Sequence, residues 1–289
     1  MQIGIGLAVA AALMTNLAWL FKHRGCHLAD AICIGEPLRS ARSLAGSPWF
    51  AAGWGLAAVA WLVHVAALSM APISIVQAVL AGGAVTLAVM AQRLFGNPVE
   101  RRQWFALFLG GAGLVLLVLT VPHFQGSHSD FSVAAILGFE GGLALLVVGL
   151  LTGHRSERLA EHGNVLLAAI AGILFALAGV AIKGLTGAGD VSVTVLAPWI
   201  LLTVLAGALA QYVAAAALQR GGAIETIGLM GLVANAAQIV GGVLVFGDPL
   251  SADPLGLALQ ATAFAMVCVS ALLIPAQRIG AKPLVATPY

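Results

Sequence analysis

Ionisable side chains are scarce in this sequence, and four of them fall inside long apolar stretches. Glu140 lies near the middle of one such stretch, with Gly138, Gly141 and Gly142 beside it. A charged group at the centre of a bilayer costs at least about 2.5–3.5 kcal/mol, so an ionisable residue there is a candidate functional residue by default. Glu140 is therefore predicted to couple proton or cation movement, or to pair with a cationic substrate. The alternative is a protonated glutamic acid that is hydrogen-bonded to a neighbouring helix.

Of the other three ionisable residues, Glu225 and His64 also have two interpretations each, and Lys183 has one. Glu225 lies about one turn after the start of an apolar stretch, where it contributes to a binding site or only favours the helix dipole. His64 is a substrate or coupling-ion ligand, or a neutral histidine that forms a hydrogen bond between helices. Lys183 lies near the end of its apolar stretch and is interpreted as reaching outward to the membrane interface.

Two predicted helices each have a face of small and amide side chains. At 100° per residue, one face collects Ser74, Gln77, Ala81, Ala84, Ala88 and Gln92, and the other collects Gly228, Gly231, Asn235, Gln238 and Gly242. Small residues let helices approach closely, and amides either bond across helices or line a cavity. We expect Gln77, Asn235 and Gln238 to face a central substrate path, with tight interhelical packing as the alternative. Weaker candidates of the same kind are Thr15, Asn16, Gln211 and Tyr212.

The elements that must position these residues follow from composition. The chain is 61% hydrophobic and only 8% charged, whereas an ordinary soluble domain is about a quarter charged. Long unbroken apolar stretches favour helices over a barrel of short alternating strands. The sequence predicts an all-α polytopic membrane protein with nine transmembrane helices: 2–21, 49–69, 72–94, 103–121, 131–152, 164–185, 194–218, 223–246 and 254–275.

Several functions find no support in the residues. A His-Glu-x-x-His metalloprotease pattern and a Gly-x-Ser-x-Gly nucleophile turn are absent, so no enzyme is predicted. His23, Cys26, His27 and Cys33 lie near one another, but their spacing matches no regular zinc site. No metal or cofactor is expected, and the net charge of +2 does not indicate a nucleic-acid partner. The expected partners are the lipid bilayer and a small-molecule or ion substrate, and a homodimer stays open.

The positive residues predict an orientation. If the loop 22–48 is cytoplasmic and the chain crosses nine times, all of the 13 Lys and Arg except Lys183 fall in cytoplasmic segments. Short cytoplasmic loops collect Lys and Arg in membrane proteins. The amino terminus is therefore predicted outside and the carboxyl terminus in the cytoplasm, in a plasma (inner) membrane.

The two halves of the chain repeat one another at a spacing of about 150 residues. The Ala-Leu pair at Ala67 recurs at Ala217, and the Phe-Gly-x-Pro turn at Phe95 recurs at Phe246. An odd number of crossings separates the copies, so the second copy is inverted. Inverted repeats are typical of secondary transporters, which bind substrate where the repeats meet. The predicted organisation is a first repeat (1–121), a linking helix with its loops (122–163), a second repeat (164–275) and a cytoplasmic tail (276–289).

The stretch 71–113, APISIVQAVLAGGAVTLAVMAQRLFGNPVERRQWFALFLGGAG, resembles the drug/metabolite transporter superfamily in its EamA-like form. The opening GIGLAVAAALMTNLAWLFKHRG and the nine-helix count are similar to the NIPA-like magnesium transporter branch. The family often has Glu after the turn glycine, where this chain has Asn97 and Asp248. The resemblance implies a carrier that moves a small metabolite or drug-like solute by alternating access, with magnesium transport as the alternative. A non-transporting membrane scaffold is the alternative of another class.

Overall fold

The computed structural model describes residues 2–30, 32, 37–96, 101–120, 132–154, 163–187, 193–248 and 250–273. Every regular element in these ranges is an α-helix, which confirms the all-α prediction for them. The helices are α1 Gln2–Leu28, α2 Pro37–Ala45, α3 Pro48–Met70, α4 Ile73–Gly82, α5 Ala84–Phe95, α6 Arg101–Thr120, α7 Val133–His154, α8 Gly163–Gly187, α9 Val193–Arg220, α10 Ala223–Phe246 and α11 Pro254–Leu272.

Within the described ranges, seven helical spans are long and apolar enough to cross a membrane, with α4 and α5 together forming one of them. The remaining long helices, α6 and α11, have shorter apolar stretches, Trp104–Leu117 and Pro254–Ser270. Large apolar side chains are exposed along the outer faces, among them Phe108 at 77% and Leu145 at 74%. Such surfaces need an apolar solvent, so the chain is a multi-pass integral membrane protein.

The helices differ from those expected from the sequence in three places. The first helix continues to Leu28 rather than ending at residue 21, so Lys22 and His23 are helical residues and not loop residues. The expected loop 22–48 also contains the short helix α2. The predicted helix 72–94 is interrupted at Gly83 and forms two helices, α4 and α5.

Asn16 of α1 explains the interruption at Gly83. Its side-chain amide donates to the Gly83 carbonyl at 2.6 Å and to the Thr86 hydroxyl at 3.0 Å. A side chain that bonds to a helix carbonyl commonly bends the helix there. A Cβ at position 83 would lie 2.8 Å from the Leu80 carbonyl and 3.0 Å from the Asn16 amide, so only glycine fits between the two helices.

Two helix reversals have the same form about 150 residues apart. Residues 71–72 join α3 to α4, and residues 221–222 join α9 to α10. After the first reversal the chain runs through α4 and α5, and after the second it runs through α10. Both α5 and α10 end at a glycine in the left-handed conformation: Gly96 has φ 69° and Gly247 has φ 63°. Glycine adopts this conformation without a steric penalty and is the usual residue at such helix ends.

The long helices form corresponding packed pairs in the two halves of the chain. α1 packs mainly on α3, as α8 packs on α9, and α4 lies against α10 near the centre. α7 packs on α8. α6 and α11 pack on each other at close range, since a Cβ at Gly113 would lie 2.9 Å from the Ala263 carbonyl. Small residues at such contacts allow the close backbone approach that stabilises helix pairs in membranes.

Candidate functional site

Polar side chains collect where α4 and α10 cross near the centre of the helix bundle. The helices are antiparallel here: the start of α4 packs with the end of α10, and a Cβ on Gly242 would lie 2.6 Å from Ile73 Cγ2. Gln77 follows Ile73 by one turn and Gln238 precedes Gly242 by one turn, so the two amides lie at neighbouring levels of the contact. The backbones of the two predicted amide faces therefore meet at this contact, with the Gln238 side chain packed against Gly179 of α8.

Both glutamines are buried, and each has an oxygen without a partner. Gln77 is 0% exposed and Gln238 is 5% exposed. The Gln77 Nε2 lies 3.5 Å from His64 Nε2 of α3, and the Gln238 Nε2 donates to the Ala234 carbonyl of its own helix at 3.3 Å. Neither Oε1 atom has a hydrogen-bond partner among the described residues. Asn235 is also buried, three residues before Gln238 on α10.

Glu140 lies on the face of α7 that packs on α8, together with Ile136 and Val147. It is 5% exposed, and its Oε1 has no hydrogen-bond partner in the described part of the chain. Its neighbour Phe139 fixes its level, because a Cβ on Gly241 of α10 would lie 2.9 Å from the Phe139 ring. Glu140 is thus a buried carboxyl near the level of Gln238, in a mainly apolar contact.

Lys183, interpreted as reaching toward the membrane interface, extends to the end of a neighbouring helix. It is 1% exposed. Its ammonium donates to the carbonyls of Leu68 at 2.8 Å and Ala71 at 3.2 Å, at the carboxyl end of α3. A cation there is stabilised by the partial negative charge of the helix end. Asp248 interacts electrostatically with the same ammonium.

Asp248, at the turn position where the drug/metabolite transporters that the sequence resembles often have Glu, is buried at 5% exposure. Its Oδ2 accepts a hydrogen bond of 2.6 Å from the backbone N–H of Ser74, at the amino end of α4. The reversal 71–72 therefore has a cation at the helix end before it and a carboxylate at the helix start after it. We call Lys183, Asp248 and the reversal that they hold the charged corner.

The reversal 221–222 is held by neutral groups. His23 Nε2 lies 3.4 Å from the Gly221 carbonyl, and the Asn164 amide donates to the Thr226 hydroxyl at 3.4 Å. The Gln219 amide donates to the carbonyls of Cys26 and Asp30 and accepts from the Ile32 N–H at 2.8 Å. We call this region the neutral corner. Glu225 is nearby in the first turn of α10 and is partly buried, and its Oε1 has no partner among the described residues.

Lys22 was missed as a site residue because the predicted first helix ended before it. It is 1% exposed. Its ammonium donates to Gln211 Oε1 of α9 at 2.9 Å and lies 4.3 Å from the Trp19 ring and 4.9 Å from the Trp54 ring. Gln211, a predicted candidate, is thus the partner of a buried cation. A continued helical pattern after Phe21 is the sequence signal that would have included Lys22.

The remaining candidates have structural surroundings. Asn16 holds the break at Gly83, and Tyr212 packs against the core that contains Leu20 and Leu218. His23 and His27 face each other with their Nε2 atoms 3.1 Å apart; Cys33 lies outside the described residues. Within the described ranges no three His, Cys, Asp or Glu side chains are grouped so that they could hold a metal ion.

Comparison of the chain with protein-family models, with curated proteins and with solved structures gives no match.

Proposed function

We propose that the protein is a secondary carrier of a small organic solute, which it moves by alternating access between two inverted four-helix repeats. The first repeat is the α1, α3, α4–α5 and α6 set, and the second is the α8, α9, α10 and α11 set, with α7 as the linking helix. In this arrangement α6 and α11 also span the membrane, which gives nine crossings. The proposal agrees with the likeness of the sequence to drug/metabolite transporters.

Matching positions in the two halves support the repeat. The two-residue reversals at 71–72 and 221–222 and the left-handed glycines Gly96 and Gly247 recur at nearly constant spacing. The preferred helix partners recur as well, since α1 with α3 corresponds to α8 with α9, and α6 pairs with its own counterpart α11. Carriers with inverted repeats rock one half against the other around a site near the midplane.

The observation that carries the proposal is a pair of buried amides on α4 and α10, the helices that pack across the two halves, each with an oxygen that has no partner among the described residues. A buried polar group without a partner costs about 1–3 kcal/mol. A scaffold has no reason to keep two such oxygens, Gln77 Oε1 and Gln238 Oε1, in its centre. A solute with hydrogen-bond donors would satisfy both. The nearby carboxyl of Glu140 is suited to carry a proton or to pair with a cation during the cycle.

The chemistry of the site favours an organic solute over magnesium. Magnesium prefers carboxylate, carbonyl and water oxygens in octahedral geometry. The groups near the α4–α10 contact are amides and an imidazole. Of the two carboxyls nearby among the described residues, Asp248 is engaged by the Ser74 N–H and the Lys183 ammonium, which leaves Glu140. Magnesium transport is the alternative that the same assay tests.

The test is flux through the purified full-length protein in liposomes. The solutes are magnesium, small organic cations, amino acids and organic carboxylates, with proton movement followed by a dye. We expect at least one organic solute to be transported. Transport of magnesium alone would favour the alternative, and absence of all flux from a folded protein would contradict the carrier.

The variant Gln77→Leu tests the site itself. Removing one neutral hydrogen bond to the solute corresponds to about 0.5–1.5 kcal/mol, so we expect KM to rise by up to about tenfold. The matched control is Gln92→Leu, the same substitution at an exposed position of the same predicted face, which should leave flux unchanged. Glu140→Gln should abolish coupled transport while the protein stays folded; a scaffold would tolerate both changes equally.

A further inference from the structure

Lys22 places its positive charge inside the helix bundle, away from the ends of α1 and α9. α1 continues from Lys22 to Leu28, and the ammonium lies over Trp19, three residues back toward the interior. Its partner Gln211 is nine residues before the end of α9, about 14 Å at 1.5 Å per residue. A lysine that only marks the membrane edge extends toward the nearer helix end. Lys22 extends the other way.

The surroundings of this charge are incomplete for a structural role. An ammonium has three donors, and within the described residues one of them reaches an oxygen, Gln211 Oε1. The rings of Trp19 and Trp54 offer cation–π contacts. No Asp or Glu of the described residues forms an ion pair with it. Lys183, equally buried, has two backbone carbonyls and the charge of Asp248 instead.

We propose that Lys22 is the recognition group for the carboxylate of an organic anion. The ammonium binds the carboxylate, Gln211 positions the ammonium, and the indole rings contact the apolar body of the solute. A charged side chain buried in a protein calls for a counter-charge, and no Asp or Glu of the described residues pairs with Lys22. The proposal rests on the carrier function, because it names the class of solute that the carrier takes.

The test measures anion-dependent stabilisation of the purified full-length protein. The probes are benzoate, phenylacetate and butyrate, each compared with its neutral amide at matched ionic strength. We expect at least one carboxylate to raise the unfolding temperature in a saturable manner, with no shift from its amide. No shift from any carboxylate, or equal shifts from the amides, would overturn the proposal.

Three variants assign the effect to the residue. Lys22→Gln should weaken carboxylate binding at least tenfold, whereas Lys22→Arg should keep part of it. Arg24→Gln is the matched control, because it removes one positive charge from the exposed side of the same helix, and it should behave like the unmodified protein. Undiminished binding by folded Lys22→Gln would refute the assignment.

A second measurement does not depend on the folding of a lysine variant. 4-Nitrobenzoate, which quenches tryptophan fluorescence at short range, should quench the unmodified protein saturably, and 4-nitrobenzamide should not. Trp54→Phe should reduce the saturable part. If 4-nitrobenzamide quenches with the same affinity, the site does not discriminate between a carboxylate and a neutral amide, and the proposal fails.

Flux assays separate this proposal from the carrier function. If neutral or cationic solutes are transported and Lys22→Gln transports them unchanged, the carrier stands and the carboxylate site is refuted. If carboxylates bind in a Lys22-dependent manner but no solute crosses the membrane, the binding site stands and the carrier function fails.

Discussion

The charged corner and the neutral corner hold equivalent helix reversals with different chemistry. At the charged corner, Lys183 and Asp248 bind the two helix ends on either side of residues 71–72. At the neutral corner, His23 and the amides of Gln219 and Asn164 hold the chain around residues 221–222. Hydrogen bonds that involve charged groups are roughly twice as strong as neutral ones. Under the carrier proposal, the neutral corner is the side that separates more readily.

The same comparison applies to the two buried lysines. Lys183 is satisfied by backbone carbonyls at a helix end and by a carboxylate, so its charge contributes to stability. Lys22 has an amide oxygen and two aromatic rings, so its charge is retained at a cost to stability. A buried charge without a carboxylate partner is typical of a binding function, and the difference between the lysines separates a structural cation from a candidate binding residue.

The largest expected effect comes from Lys183→Met. Removing one member of a buried charged pair costs about 3–5 kcal/mol, because the other charge is left without compensation. The free energy of unfolding in detergent micelles, followed by circular dichroism, measures this loss. Lys22→Met is the matched comparison. It should lower the free energy of unfolding by less than about 1 kcal/mol, or raise it. Equal losses for the two variants would show that the lysines do not differ as described.

A smaller effect is expected from Gln219→Leu at the neutral corner. The substitution removes two donated bonds and one accepted bond, and neutral hydrogen bonds contribute about 0.5–1.5 kcal/mol each, so the loss should be about 2–3 kcal/mol. Amide hydrogen exchange should accelerate around residues 26–32 more than around residues 68–74. Unchanged exchange near Ile32 would mean that Gln219 does not hold this segment.

The smallest effect is expected from Asp248→Asn. An amide oxygen can still accept the hydrogen bond from the Ser74 N–H, and the Lys183 ammonium, although it loses its counter-charge, keeps its bonds to the Leu68 and Ala71 carbonyls at a helix end. The free energy of unfolding should therefore fall by about 1 kcal/mol, less than for Lys183→Met. The same unfolding titration measures it. A loss as large as that of Lys183→Met would indicate that the carboxylate charge, rather than the hydrogen bond to Ser74, holds the corner.

Much of the helical framework could be predicted because it depends on local properties of the sequence. The helix predicted at 223–246 has those bounds in the structure, since Gly222 and Gly247 mark its ends. Burial of Glu140, Gln77 and Gln238 also followed from their position within apolar stretches. These features need only composition, periodicity and helix-end residues.

The partners of the polar residues could not be predicted, because they lie far away in the sequence. Lys183 bonds to a carbonyl 115 residues earlier, and Asp248 to an N–H 174 residues earlier. Lys22 reaches Gln211 across 189 residues. A charge near the end of an apolar stretch looks the same in the sequence whichever group it bonds to, so the partners of Lys22 and Lys183 could not be predicted for the same reason.

The break at Gly83 has a consequence for mutational robustness. The Gly83 carbonyl accepts from Leu87 N–H at 3.0 Å, from the Thr86 hydroxyl at 2.7 Å and from the Asn16 amide at 2.6 Å. A carbonyl oxygen has two lone pairs, so three donors share what two would satisfy. Loss of the Thr86 hydroxyl alone leaves the oxygen with the Asn16 amide and the Leu87 N–H, so the bend that Asn16 holds is buffered against substitution at position 86 but not at position 16. Position 83 has no such protection, because the space there admits only a hydrogen atom.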